Sequence, residues 1–143
     1  MSEPDDIPTV ILEAIRSLTR ALPEVHEEPA WTGTRWRVGR RTFAHVLRIE
    51  SGWPPAYARA AATEGPAIVL MFRASGLELE LLRQAGDPWF APVWRADEVG
   101  LIVGRSEDAD VDVDWSEVGQ LLTESFCLQA PKKLVASVRR PPD

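Results

Sequence analysis

The chain has 143 residues, of which 45% are hydrophobic and 27% charged, and a formal net charge of −6; this is the make-up of one ordinary globular domain over residues 1–143. The acidic balance argues against non-specific nucleic-acid binding by the whole surface, because such affinity comes from neutralising phosphates. The single Cys127 excludes an internal disulfide and a thiolate zinc site. With no apolar run near the roughly 18 residues of a membrane span and no basic-then-apolar leader, a cytoplasmic protein without a membrane partner is expected.

Residues 1–6 are polar and are expected to fray, as is the tail at 139–143. After Pro8, the residues Ile11, Ile15, Leu18 and Leu22 recur at helical spacing and predict an amphipathic helix that Pro23 ends. Val25 to Thr32 reads as a connector or short edge strand. Thr34 to Ile49 carries the strongest hairpin signal, with Gly39-Arg40 able to form a two-residue turn. That turn sets Val38 opposite Arg41 and Trp36 opposite Phe43. Alternation then places Trp36, Val38, Phe43, His45, Leu47 and Ile49 on a core face. The other face receives Arg35, Arg37, Thr42, Ala44, Val46 and Arg48.

Residues 52–66 form a Pro/Ala-rich insertion with room for a short helix from Pro55 to Thr63. Ala67 to Phe72 reads as an apolar strand. Ser75 and Glu78 match a capping box for a helix over 76–84, which Gly86 and Pro88 stop. Between Pro88 and Trp94 stand two prolines and two tryptophans, so Trp89-Phe90 and Val93-Trp94 should be extended but poorly paired. Val99 to Val103 is of buried-strand type. An acidic loop follows, and Asp114 and Glu117 offer a second capping pair before a helix through about Leu128. Its expected buried stripe is Val118, Leu121, Leu122, Ser125 and Phe126. Pro131 starts a last short helix, 132–137. This order suits an α+β fold, an antiparallel sheet with helices packed on one face.

Charge is unevenly spread. From Pro29 to Ile49 there are five arginines and no acid; from Asp97 to Glu117 there are eight acids and one arginine. Whether the two segments face apart or neutralise each other is open from sequence.

Several ordered segments resemble the MmcQ/YjbR family of small bacterial proteins. They are Ala-Leu-Pro-Glu-Val-His-Glu-Glu over 21–28, the Trp36–Ala44 hairpin, Pro92-Val-Trp94 ahead of the 99–103 strand, and Asp114-Trp115 leading to Ser125-Phe-Cys-Leu-Gln-Ala-Pro-Lys-Lys133. The resemblance covers 20–50 and 67–136. It implies a CyaY-like (frataxin-like) fold and, because members are often described as DNA-binding, a non-enzymatic nucleic-acid role with no catalytic residues. Arg95 stands where glycine commonly follows the Pro-x-Trp element, and the 52–66 insertion is not typical.

On that reading Arg35, Arg37, Arg40 and Arg48 would contact phosphates, extended by Lys132 and Lys133. Trp89, Phe90 and Trp94 would form an aromatic edge on which bases stack, at roughly 1–3 kcal/mol each. Trp31 and Trp53, beside loops, are weaker candidates. The competing reading is a protein-interaction or small-ligand module whose rigid tryptophans meet a partner.

A metal site could be sought in His26 with Glu27 and Glu28, or in the acids at 107–112, but the latter lack EF-hand order. His45 is expected to be a hydrogen-bonded core residue and Cys127 half-buried filler. With no phosphate loop, serine elbow or paired-carboxylate spacing, no enzyme activity, cofactor or metal is expected.

Overall fold

The computed structural model describes residues 7–105 and 113–138. The expected tails at 1–6 and 139–143, and the acids at 107–112, lie outside them. Among the described residues the elements run in the order α1 Thr9–Thr19, β1 Val25–Pro29, β2 Thr34–Val38, β3 Arg41–Ile49, α2 Pro55–Ala61, β4 Ala67–Arg73, α3 Gly76–Gln84, β5 Trp89–Phe90, β6 Glu98–Arg105, α4 Trp115–Gln129 and α5 Lys132–Val135. The strands form one antiparallel sheet in the order β1-β2-β3-β4-β6-β5. The fold class is α+β, as the element order implied. Both outermost strands are short, and β1 ends on Pro29, which discourages further pairing along that edge.

One sheet face carries the main core. Helix α1 buries Ile11, Ile15 and Thr19 against it, and α4 buries the stripe read from its periodicity, Val118, Leu121, Leu122, Ser125 and Phe126. The Asp114 carboxylate caps α4 by accepting from the amides of Ser116 and Glu117 at 3.1 Å. Ser75 precedes α3 as expected but makes no side-chain cap hydrogen bond. The second face is also buried in part: Leu47, Ile49, Val69, Met71, Phe90 and Ile102 pack with Ala58 of α2, flanked by Tyr57, Ala60 and Ala61. The insertion therefore supplies a helix to the face that the other helices leave open. Phe90 fits there because Gly100 has no side chain; a Cβ at that position would stand 2.2 Å from the Phe90 ring.

The hairpin departs from the expected register. Val38 faces Arg41, but Trp36 faces Ala44 and Arg37 faces Thr42, so Phe43 is an extra residue on β3. This β-bulge sends Phe43 and Ala44 to the same side, and both are buried in the main core. From there on the alternation is inverted. Ala44, Val46 and Arg48 share the helix-covered face with Trp36 and Val38, whereas His45, Leu47 and Ile49 turn to the second face. Helix α4 secures the bulge. Phe43 packs edge-to-face on Phe126 with centroids 5.4 Å apart, and the Ser125 hydroxyl donates to the Phe43 carbonyl at 2.6 Å while accepting from the Arg73 amide at 2.8 Å.

Candidate binding cleft

The bulge and the insertion together open a cleft of about 230 Å³ on the second sheet face, in which His45, Met71, Arg73 and Glu98 from the strands meet Arg35, Trp31, Tyr57 and Arg95. The strands dictate the floor. Arg35 is paired across the ladder with His45, His45 with Met71, and Arg73 with Glu98, so these side chains project from one surface. Tyr57 comes from α2 and Trp31 from the β1–β2 turn.

His45 is hydrogen-bonded, as expected, but it lies in the cleft floor rather than in the core. Its Nε2 lies 2.7 Å from the Thr32 carbonyl oxygen, which can only accept, so Nε2 carries the hydrogen. Burial pushes the pKa below that of a free histidine, with the nearby Arg35 guanidinium acting in the same direction. A neutral ring leaves Nδ1 as an acceptor.

Glu98 is 8% exposed and burial raises its pKa against the opposing hydrogen bond from Trp94. The Trp94 Nε1–H donates to Glu98 Oε1 at 2.9 Å, and the Arg95 guanidinium stands 3.5 Å from Oε2. Arg73 donates to both Asp97 carboxylate oxygens at 3.0 and 3.1 Å. The loop bearing Trp94 and Arg95 is tied down by Arg83, whose guanidinium donates to the carbonyls of Glu98 at 2.7 Å and of Pro92 and Arg95 at 3.1 Å.

Aromatic rings line the mouth. Tyr57 contacts Trp94 with centroids 4.8 Å apart, His45 at 6.2 Å and Trp31 at 6.4 Å, and Trp31 meets Trp53 at 5.8 Å. Trp31 nevertheless remains 68% exposed. Burial, with Glu98 nearby, raises the Tyr57 pKa, so its hydroxyl stays protonated.

The residues singled out for phosphate contact are not brought together. Arg35 and Arg37 do share the second face, but both reach Glu28 on β1, at 2.6 and 3.0 Å. Arg48, expected beside them, lies on the helix-covered face through the bulge; it is 6% exposed and 3.2 Å from Glu50. Arg40 is exposed at the hairpin turn and Lys132 and Lys133 are exposed on α5. The aromatic edge divides as well. Trp89 is half-buried on the helix side, 6.4 Å from Phe72, Phe90 is buried on the other side, and only Trp94 reaches the cleft mouth.

Glu27 and Glu28, considered together as metal ligands beside His26, point to opposite faces. Glu27 is held by Arg16 of α1 at 2.7 Å and accepts from Trp36 Nε1 at 3.2 Å. Among the described residues no three His, Cys, Asp or Glu side chains converge as a metal site, and no helix is long and apolar enough to cross a membrane.

Tyr57, Arg73, Arg95 and Glu98 are not among the site residues that the sequence singles out. One signal was available: a glutamate opening an otherwise apolar strand, next to two arginine-bearing segments, marks a carboxylate that needs a buried partner. A comparison with curated proteins finds no match. The family model described as YjbR matches residues 20–128, a span that runs from the end of α1 through most of α4 and so takes in every strand of the sheet; the chain belongs to the YjbR family.

Proposed function

We propose that this chain is a non-enzymatic binding module that holds a small molecule in the cleft beside α2. The observation behind this reading is the convergence, in one concave site, of the Trp31 and Tyr57 rings, the neutral His45 and the guanidinium groups of Arg35, Arg73 and Arg95. Small-molecule sites are of this kind, concave and partly apolar with a few polar groups that orient the ligand. Binding is favoured over catalysis because His45 is engaged through one ring nitrogen and Glu98 through both carboxylate oxygens. His45 gives its Nε2 hydrogen to Thr32, and Glu98 is turned to Trp94 and Arg95.

A nucleic-acid role, implied by the family resemblance, draws less support. It needs a contiguous cationic face, whereas Arg35 and Arg37 share one carboxylate and Arg48 is buried.

The test is a heteronuclear NMR titration of the ¹⁵N-labelled chain with a small-molecule fragment set and, separately, with a short DNA duplex at low salt. Fragments should shift the amides of Arg35, His45, Tyr57, Arg73 and Arg95. Shifts confined to Arg40, Lys132 and Lys133 on adding duplex, with the cleft silent to every fragment, would overturn the proposal.

A further inference from the structure

We infer that the cleft selects a small aromatic carboxylate, a single flat ring bearing one anionic group; this rests on the cleft being a ligand site at all. Size bounds the ligand first. A volume of about 230 Å³ lies below the roughly 300–1,000 Å³ of sites for drug-sized molecules, which suits a one-ring compound.

The donors set the sign. Three guanidinium groups, Arg35, Arg73 and Arg95, and one carboxylate, Glu98, contribute to the wall. Glu28 and Asp97, the partners of Arg35 and Arg73, are not part of it. Those carboxylates still neutralise Arg35 and Arg73 from outside the wall, so the cleft offers guanidinium N–H donors rather than a net positive charge, and burial moves Glu98, the partner of Arg95, toward its neutral form. Guanidinium forks match the planar geometry of a carboxylate. Arg95 is the group free to turn: its side chain is 46% exposed and its contact with Glu98 is long, at 3.5 Å. The hydroxyl of Tyr57 and Nδ1 of His45 add a donor and an acceptor for ring substituents.

Shape sets the body. Trp31 keeps 68% of its surface exposed beside the cleft, and Tyr57 presents a second ring tilted 42° to it at 6.4 Å. Two tilted rings so close cannot sandwich a third, so a ligand ring stacks on the open face of Trp31 and meets Tyr57 with its edge. Met71 closes the floor with a deformable thioether.

The experiment titrates the labelled full chain with benzoate, benzamide, benzylammonium and inorganic phosphate. Benzoate should saturate shifts at Arg35, His45, Tyr57 and Arg95, with a Kd at least tenfold below those of the other three. Arg95→Gln and Arg35→Gln should each raise the benzoate Kd at least fivefold, and Trp31→Ala should do likewise. Arg105→Gln, remote from the cleft, should leave it unchanged. The inference is overturned if benzamide, benzylammonium or phosphate binds as tightly as benzoate, or if the arginine variants bind benzoate normally. Should the neutral or cationic ring fill the cleft and benzoate not, the cleft remains a ligand site and only the ligand class is wrong. Should none of the fragments move it, both readings fall.

Discussion

Replacing Ser125 by alanine tests how the cleft is built from behind. The Ser125 hydroxyl is fully buried and bridges two backbone groups far apart in sequence, the Phe43 carbonyl and the Arg73 amide, at 2.6 and 2.8 Å. The bulge takes the Phe43 carbonyl out of the regular β2–β3 ladder, and Arg73 lies one residue beyond the last β3–β4 pair, Ala44 with Phe72. Neither group has water to turn to behind α4. Leaving a buried polar group unsatisfied costs about 1–3 kcal/mol, so two cost about 2–6. Alanine returns roughly 0.5 kcal/mol through its better helix propensity. Ser125→Ala should therefore destabilise by about 2–5 kcal/mol, a large share of the roughly 5–15 kcal/mol that holds a domain folded. Urea unfolding would read it as a lower midpoint at unchanged slope. Thr123→Ala is the control. The Thr123 hydroxyl donates to the Gly119 carbonyl of its own helix, and its loss should cost less than about 1 kcal/mol. A Ser125→Ala midpoint no lower than that of the Thr123 variant refutes the bridge, and amide exchange at Arg73 as slow as in the parent would do so independently.

Other consequences are equally direct. Arg83→Ala removes the donor to three carbonyls of the 92–98 segment and should cost about 2–3 kcal/mol while freeing Trp94, seen as faster acrylamide quenching; unchanged quenching would show that the loop holds itself. Gly33 has φ +76°, and a Cβ there would lie 1.9 Å from the Val46 carbonyl oxygen, so Gly33→Ala should lose roughly 3 kcal/mol or more, measured by thermal unfolding, and a loss under about 1 kcal/mol would contradict the close approach. Folded Glu98 holds its proton to a higher pH than an unfolded glutamate, whose ordinary value is 4.5, so its contribution to stability is largest below that value and falls as pH rises through the raised one. Glu98→Gln keeps an acceptor for Trp94 and should flatten that part of the stability–pH curve; parallel curves would remove Glu98 from the account.

Much of the scaffold is legible from periodicity because helix stripes and apolar strands are local signals. The α4 stripe and its Asp114 cap, the α3 boundaries and the apolar runs 67–72 and 99–103 inside β4 and β6 all follow from residue spacing. The cleft does not, because its geometry turns on one inserted residue. With Trp36 opposite Phe43, His45 would enter the main core and Arg48 would join Arg35 outside; with the bulge, they exchange faces. A trace of this exists in the sequence. Val46, Leu47 and Ile49 are apolar on both parities, which marks a strand covered on both faces rather than a half-solvated one. The charged pairs were out of reach for a different reason: which of two adjacent acids, Glu27 or Glu28, faces the arginines depends on the β1–β2 register, and that register is fixed by tertiary pairing.

Dimensions explain why a site remains on the second face. A helix of seven residues is about 10 Å long and about 10 Å wide, while six strands at about 4.8 Å spacing span about 24 Å. Helix α2 can therefore cover less than half of the sheet's width. It sits over the apolar part, where Leu47, Ile49, Val69 and Ile102 would otherwise meet water. The uncovered remainder holds Arg35, Arg37, His45, Arg73 and Glu98, polar side chains that pair with neighbouring groups at its rim. A longer helix would have closed the cleft and buried those charges at a cost of several kcal/mol each, and a sequence without the insertion would have left an apolar surface with no wall. The short helix satisfies both demands, and the space between its aromatic flank and the β1–β2 turn is the cleft.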